Sequence, residues 1–175
     1  MRLWKKITAD TRATEVAEAA LVLPLTFMLL LGIYWFGRAY NIYATITHAA
    51  HEGARAAVVN SCATCPNPDA PLTPDQVADA VAQVLRASKL DPNQVSSVAP
   101  PYSSCVGGPV ACAAVSGAEP QVCIQYNAQL TNSPTGKACG VAVSFQYPYQ
   151  FYLPFTSLNL QQINLKAQSQ MQGEE

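Results

Sequence analysis

The stretch Ala19–Phe36 reads AALVLPLTFMLLLGIYWF and carries no charged side chain; its most polar member is Thr26. At about 1.5 Å per residue, an α-helix of this length reaches ~27 Å, close to the hydrocarbon thickness of a bilayer. A soluble core helix this long ordinarily keeps a polar face, and here there is none. A cleaved secretory signal fits less well. The apolar run is longer than a usual signal core, and the following Trp35-Phe36-Gly37-Arg38-Ala39-Tyr40 is too bulky for a small-x-small cleavage site. The sequence therefore predicts a transmembrane segment over about residues 19–36.

Orientation follows from the cations. Arg2, Lys5, Lys6 and Arg12 precede the apolar run, against Asp10, Glu15 and Glu18, and only Arg38 and Arg55 appear in the first stretch after it. This bias puts the N-terminus in the cytoplasm and the bulk of the chain outside. That compartment is oxidising. The six cysteines (Cys62, Cys65, Cys105, Cys112, Cys123 and Cys139) all lie beyond the apolar run, and an even set there reads as structural disulfides. Sequence does not choose among the fifteen connectivities; pairing of Cys105 with Cys112, within one loop, is the one entertained. Cys62-Ala63-Thr64-Cys65 also admits a redox pair or half a zinc site. However, it follows a long helix and leads into the proline-rich PNPDAPLTP, unlike a thioredoxin-type motif, and no second closely spaced pair accompanies it. With a net charge of −1 and 12% charged residues, the chain has no nucleic-acid signature.

Helical patterning continues past the apolar stretch. Ile42, Ile46, Ala49, Gly53 and Ala56 recur at spacings of 4, 3, 4 and 3, one stripe of a helix, and Ala50, Ala54 and Ala57 broaden it with small side chains. One helix is expected from about Thr14 to Val59, crossing the membrane with its inner half and packing on a domain with its outer half. Tyr34, Trp35, Tyr40 and Tyr43 cluster at the outer end of the apolar run, as interfacial aromatics do. Pro24 removes one backbone hydrogen bond and predicts a local bend. His48, His51 and Glu52 lack the His-Glu-x-x-His order of a zinc protease. They read as solvated or interface residues, and no metal or cofactor site is expected.

The remainder, residues 60–175, reads as one small α+β domain. Thr73 fits a helix N-cap with Pro74 in the first turn, and Val77, Val81, Val84 and Leu85 form the apolar face of a helix running to about Lys89 before Asp91-Pro92. Val95–Ala99 is a candidate short strand. Residues 100–120 are rich in Gly, Pro and Ser and read as a cross-linked loop. Alternation over Val122–Leu130, over Gly140–Tyr147 and over Leu158–Ser169, with Thr131–Gly136 as a hairpin turn, predicts an antiparallel sheet of about three strands. A phase slip at Gln161-Gln162 suggests a bulge.

The run from Glu15 to Val59 resembles the TadE-like signature. Its parts here are Glu18, Ala20–Pro24, Gly37-Arg38 and Ala49-Ala50-His51-Glu52-Gly53-Ala54-Arg55. The resemblance implies a minor pseudopilin of the tight-adherence (Flp, type IV-like) pilus system, with a long helix carrying a pilin-like domain. It implies a single-pass protein of the bacterial inner membrane with a periplasmic C-terminal domain. Its partners would be a prepilin peptidase, other pilins or pseudopilins, and the inner-membrane assembly platform. On this reading residues 1–13 are a basic leader, cut between Ala13 and Thr14, with Ala13 standing where the family has glycine. Glu18 becomes the assembly carboxylate, and Pro24 the helix kink.

Catalysis is not expected. No histidine lies in the outer domain to activate a nucleophile, and the carboxylates are scattered. The competing readings are a membrane-tethered thiol oxidoreductase using Cys62 and Cys65, or a single-pass scaffold that keeps its leader.

Overall fold

The computed structural model describes residues 11–58, 72–98, 102–105, 111–113, 115–116, 120–130, 138–151 and 162–172, with side chains from residue 15 onward. Its spine is α1, Thr11–Val58, a continuous helix of 48 residues and roughly 72 Å. It begins three residues before the expected start. Pro24 lies inside it, where the missing N–H leaves the Ala20 carbonyl without its usual donor. The helix also absorbs its own hydroxyls. Thr26 donates to the carbonyls of Leu23 at 2.8 Å and Val22 at 3.2 Å, Thr45 to Asn41 at 2.9 Å and Thr47 to Tyr43 at 2.8 Å. Such back-bonding satisfies a hydroxyl where water is absent.

The second helix, α2, spans Pro74–Ala87. Thr73 caps it as the sequence predicts, in a reciprocal capping box. The Thr73 hydroxyl accepts from the Gln76 N–H at 3.4 Å, and the Gln76 side chain accepts from the Thr73 N–H at 2.9 Å. Val77, Ala78, Val81, Ala82 and Leu85 are buried. The helix ends two residues short of Lys89. The Lys89 N–H bonds to the Arg86 carbonyl and the Leu90 N–H to the Leu85 carbonyl, a Schellman turn. A 3₁₀ turn, Pro92–Gln94, follows, capped by Asp91.

Among the described residues the antiparallel sheet has four strands, the three expected ones and the candidate short strand: β1 (Ser96–Ser97), β2 (Cys123–Gln129), β3 (Cys139–Gln150) and β4 (Gln162–Met171). β3 is central. β4 pairs along one edge from Gln150↔Gln162 to Val141↔Met171, and β2 and then β1 share the other edge. β3 outruns the expected strand and passes through Pro148, which is tolerated because only β4 flanks it there. β4 is continuous in register from Gln162 on; Gln161 of the expected Gln161-Gln162 slip lies outside the described residues. A bulge lies in β2, where the two residues between Gln125 and Ala128 oppose one on β3 and Asn127 adopts a φ of 59°. The described ends of β2 and β3 meet through the Leu130 N–H on the Ala138 carbonyl; the expected turn Thr131–Gly136 lies outside the described residues.

The core forms where the outer half of α1 crosses α2 and the sheet. Ile46, Ala49, Ala50, Ala54 and Ala57 of α1 pack with Val77, Val81 and Leu85 of α2 and with Ile124, Val143 and Phe145 of the sheet. The small residues allow this approach. A methyl group on Gly53 would stand 2.6 Å from Cγ2 of Val81 and 3.6 Å from Cγ1 of Val143. The predicted α+β class and the helix stripe are therefore both present.

Among the described residues two disulfides staple the loop segments to the sheet, and neither joins Cys105 to Cys112. Cys105 pairs with Cys139 and Cys112 with Cys123. The backbone explains the correction. The Cys105 N–H bonds to the Asn127 carbonyl and the Ala113 N–H to the Ile124 carbonyl. The loop thus runs along the free edge of β2, and each of its cysteines meets a strand cysteine. Cys62 and Cys65 lie outside the described residues.

Candidate functional site

α1 has two halves with opposite surroundings. Every residue from Glu15 to Leu30 is exposed, including Leu21 at 73% and Phe27 at 63%. Uncovered apolar side chains in such density are not tolerated in water. The most apolar 18-residue window of the helix has none of its residues buried, which excludes a core helix. The length and composition are those of a membrane span, and the arrangement indicates single-pass anchoring through this helix.

The residues singled out from the sequence sit at its inner end. Ala13 and Thr14 lie within α1, so the bond between them is in helical backbone. Glu18 is exposed, and among the described residues it meets no cation. Thr14 and Glu18 are one helical turn apart, the spacing at which side chains and end groups of a helix interact. Residues 1–10 of the basic leader lie outside the described residues.

At the other end of the apolar stretch the sheet grips the helix. The Tyr149 hydroxyl donates to the Trp35 carbonyl at 3.0 Å. Phe151 stacks edge-on against Tyr149 with ring centres 4.8 Å apart and lies 5.9 Å from Phe36. The Arg38 guanidinium stands 5.8 Å from the centre of the Trp35 ring, within cation–π range. Burial pushes the Tyr149 phenol above its ordinary pKa, partly offset by the positive charge of Arg38. The hydroxyl therefore remains a donor at neutral pH. The sequence marks Trp35 only as an interfacial aromatic; its role as a docking point depends on a strand more than a hundred residues away.

The polar residues of the outer half tie elements together. His51 Nδ1 lies 3.3 Å from the Ser169 hydroxyl on β4. His48 Nε2 lies 3.9 Å from Glu52 one turn on. Among the described residues no three metal-ligating side chains converge. Asp75, in the first turn of α2, accepts the Ser116 N–H at 2.7 Å.

Residues 14–55 match the family model described as TadE-like protein, the same stretch whose motif resembles that family. The match covers α1 from the proposed cut to the centre of the core crossing and points to involvement in Tad/Flp pilus assembly. No curated protein and no solved structure matches the chain.

Proposed function

We propose that the protein is a minor pilin or pseudopilin that takes part in assembling a tight-adherence (Flp, type IV-like) pilus for surface attachment. The observation that carries this reading is the division of α1: an uncovered apolar inner half continuous with an outer half that is the spine of a small sheet domain. Such a subunit is held by lipid before assembly and by the apolar helices of its neighbours afterwards. The TadE-like match over residues 14–55 supports it independently.

In this role the chain is a single-pass protein of the bacterial inner membrane, N-terminus in the cytoplasm and disulfide-linked domain in the periplasm. It works by packing rather than catalysis. A prepilin peptidase removes residues 1–13 by cutting between Ala13 and Thr14, which requires the first turn of α1 to unwind locally. The new α-ammonium of Thr14 then faces Glu18 one turn away, in its own chain or in an adjacent subunit. Pairing offsets the desolvation of both charges as helices gather, with other pilins and the assembly platform as partners. Pro24, with the unbonded Ala20 carbonyl beside it, makes the weakest point of the span.

Intact mass of the membrane-extracted protein tests this. The reading expects a chain beginning at Thr14 in wild-type cells and at Met1 in cells lacking the peptidase. A chain that begins at Met1 in both overturns processing and favours an unprocessed scaffold.

A further inference from the structure

Where α1 leaves the apolar stretch, a cavity of about 420 Å³ opens between it, the end of α2 and the far end of β3, a size typical of small-ligand sites. Its wall includes Trp35, Arg38, Lys89, Tyr147 and Tyr149, and no described carboxylate. Asp91 lies beside Tyr147, its carboxylate accepting the Asn93 N–H at 3.0 Å. Two cations thus line one cavity, from elements far apart in sequence, with the Asp91 charge felt at Tyr147 but outside the wall.

Lys89 is the more telling of the two. It occupies the left-handed position of the Schellman turn, with a φ of 60°, which ordinarily belongs to glycine. A non-glycine residue there holds a sparsely populated backbone conformation, the kind of outlier that gathers at ligand sites. Arg38 stands two residues beyond Phe36, roughly 3 Å further along the helix, at the level where lipid phosphates lie if Ala19–Phe36 fills the hydrocarbon layer.

We propose that this cavity binds the phosphate head of an anionic phospholipid in the outer leaflet, with Arg38 and Lys89 as the cationic pair and Trp35 and Tyr149 as its aromatic floor. Planar guanidinium and ammonium groups together suit a phosphodiester, and the aromatic rings tolerate the glycerol backbone. The site fixes the sheet domain against the bilayer surface. It rests on α1 spanning the membrane.

The test uses the full chain in nanodiscs of equal phosphatidylglycerol and phosphatidylcholine, read by native mass spectrometry of the lipids retained on release. Phosphatidylglycerol is expected to be retained more than about tenfold over phosphatidylcholine, with a loss of about fivefold for each cation removed. Arg38→Gln and Lys89→Gly should each lower the preference, and Arg38→Lys should largely keep it. Lys89→Gly suits the turn better than lysine does, so its Tm should not fall, and lost selectivity cannot be blamed on misfolding. Equal retention of the two lipids overturns the site. Displacement of phosphatidylglycerol by inorganic phosphate supports a phosphate site, whereas phosphate binding that depends on Arg38 and Lys89 without lipid selectivity overturns the lipid as its source. A chain that fails to float with vesicles overturns the membrane reading itself, a separate outcome.

Discussion

The Tyr149 hydroxyl donates to the Trp35 backbone carbonyl at 3.0 Å, fastening the end of β3 to α1 where the apolar stretch gives way to the domain. Through this bond the sheet meets the helix at two levels, the deep crossing at Gly53 and this collar of aromatics. Tyr149→Phe keeps the ring and its edge contact with Phe151 and removes only the bond. It should lower stability by about 0.5–1.5 kcal/mol, measured by thermal denaturation in detergent.

Alkaline pH attacks the same group. Burial raises the phenols of Tyr102, Tyr126, Tyr147 and Tyr149 above their ordinary value of 10.0. The folded protein therefore holds protons that the unfolded chain releases, and stability present below about pH 10 is lost as pH rises through the folded values. Tm should be flat from neutral pH to about 9 and fall above about 10. Tyr149→Phe should shallow that fall.

Gly53 and Gly37 give a matched pair. A methyl on Gly53 would meet the buried Val81 at 2.6 Å, and one on Gly37 would meet nothing within 4 Å. Valine on a helix is stiff about its first torsion and cannot turn aside cheaply. Gly53→Ala should cost about 1–3 kcal/mol, and Gly37→Ala should be neutral or slightly stabilising. Equal Tm values for the two variants would contradict the crossing.

The disulfides differ in the length of chain they close. Cys105–Cys139 spans 34 residues and Cys112–Cys123 spans 11. Loop-closure entropy gives about 4 and about 3 kcal/mol respectively. Replacing the first pair with alanines should lower Tm more than replacing the second, and peptide mapping of the oxidised protein should recover these two linkages.

Thr73→Ala removes one half of the capping box and should cost about 1 kcal/mol. Gln76→Ala should cost less, because only the Thr73 N–H loses its partner. Differential scanning calorimetry of the two variants checks the order.

Much of this was legible in the chain. The long helix, its small-residue face and the Thr73 cap depend on local pattern, and local pattern is what a sequence exposes. The apolar stretch also declared its surroundings, since nothing but lipid or other helices can cover Leu21 through Leu30. What escaped depended on partners distant in sequence. Cys105 finds Cys139 only because the loop lies along β2, and the β2 bulge appears only when Asn127 turns left-handed to bring Ala128 back to the core face. Pro148 ended the expected strand because its missing N–H counts against any strand; it is admitted where β3 has lost one neighbour. Lys89 carries no motif, the Gly37-Arg38 motif says nothing of a cavity, and only the fold brings the two cations to one wall.

The central claim is that a carboxylate at the inner end of an uncovered helix serves assembly. The direct measurement is surface attachment and pilus yield of cells carrying Glu18→Ala, with membrane level and disulfide state of the variant measured alongside. The account predicts a protein that reaches the membrane fully oxidised at wild-type level while pilus yield falls at least about tenfold, with Glu18→Asp partly restoring it. Wild-type piliation and attachment by the Glu18→Ala cells would contradict it.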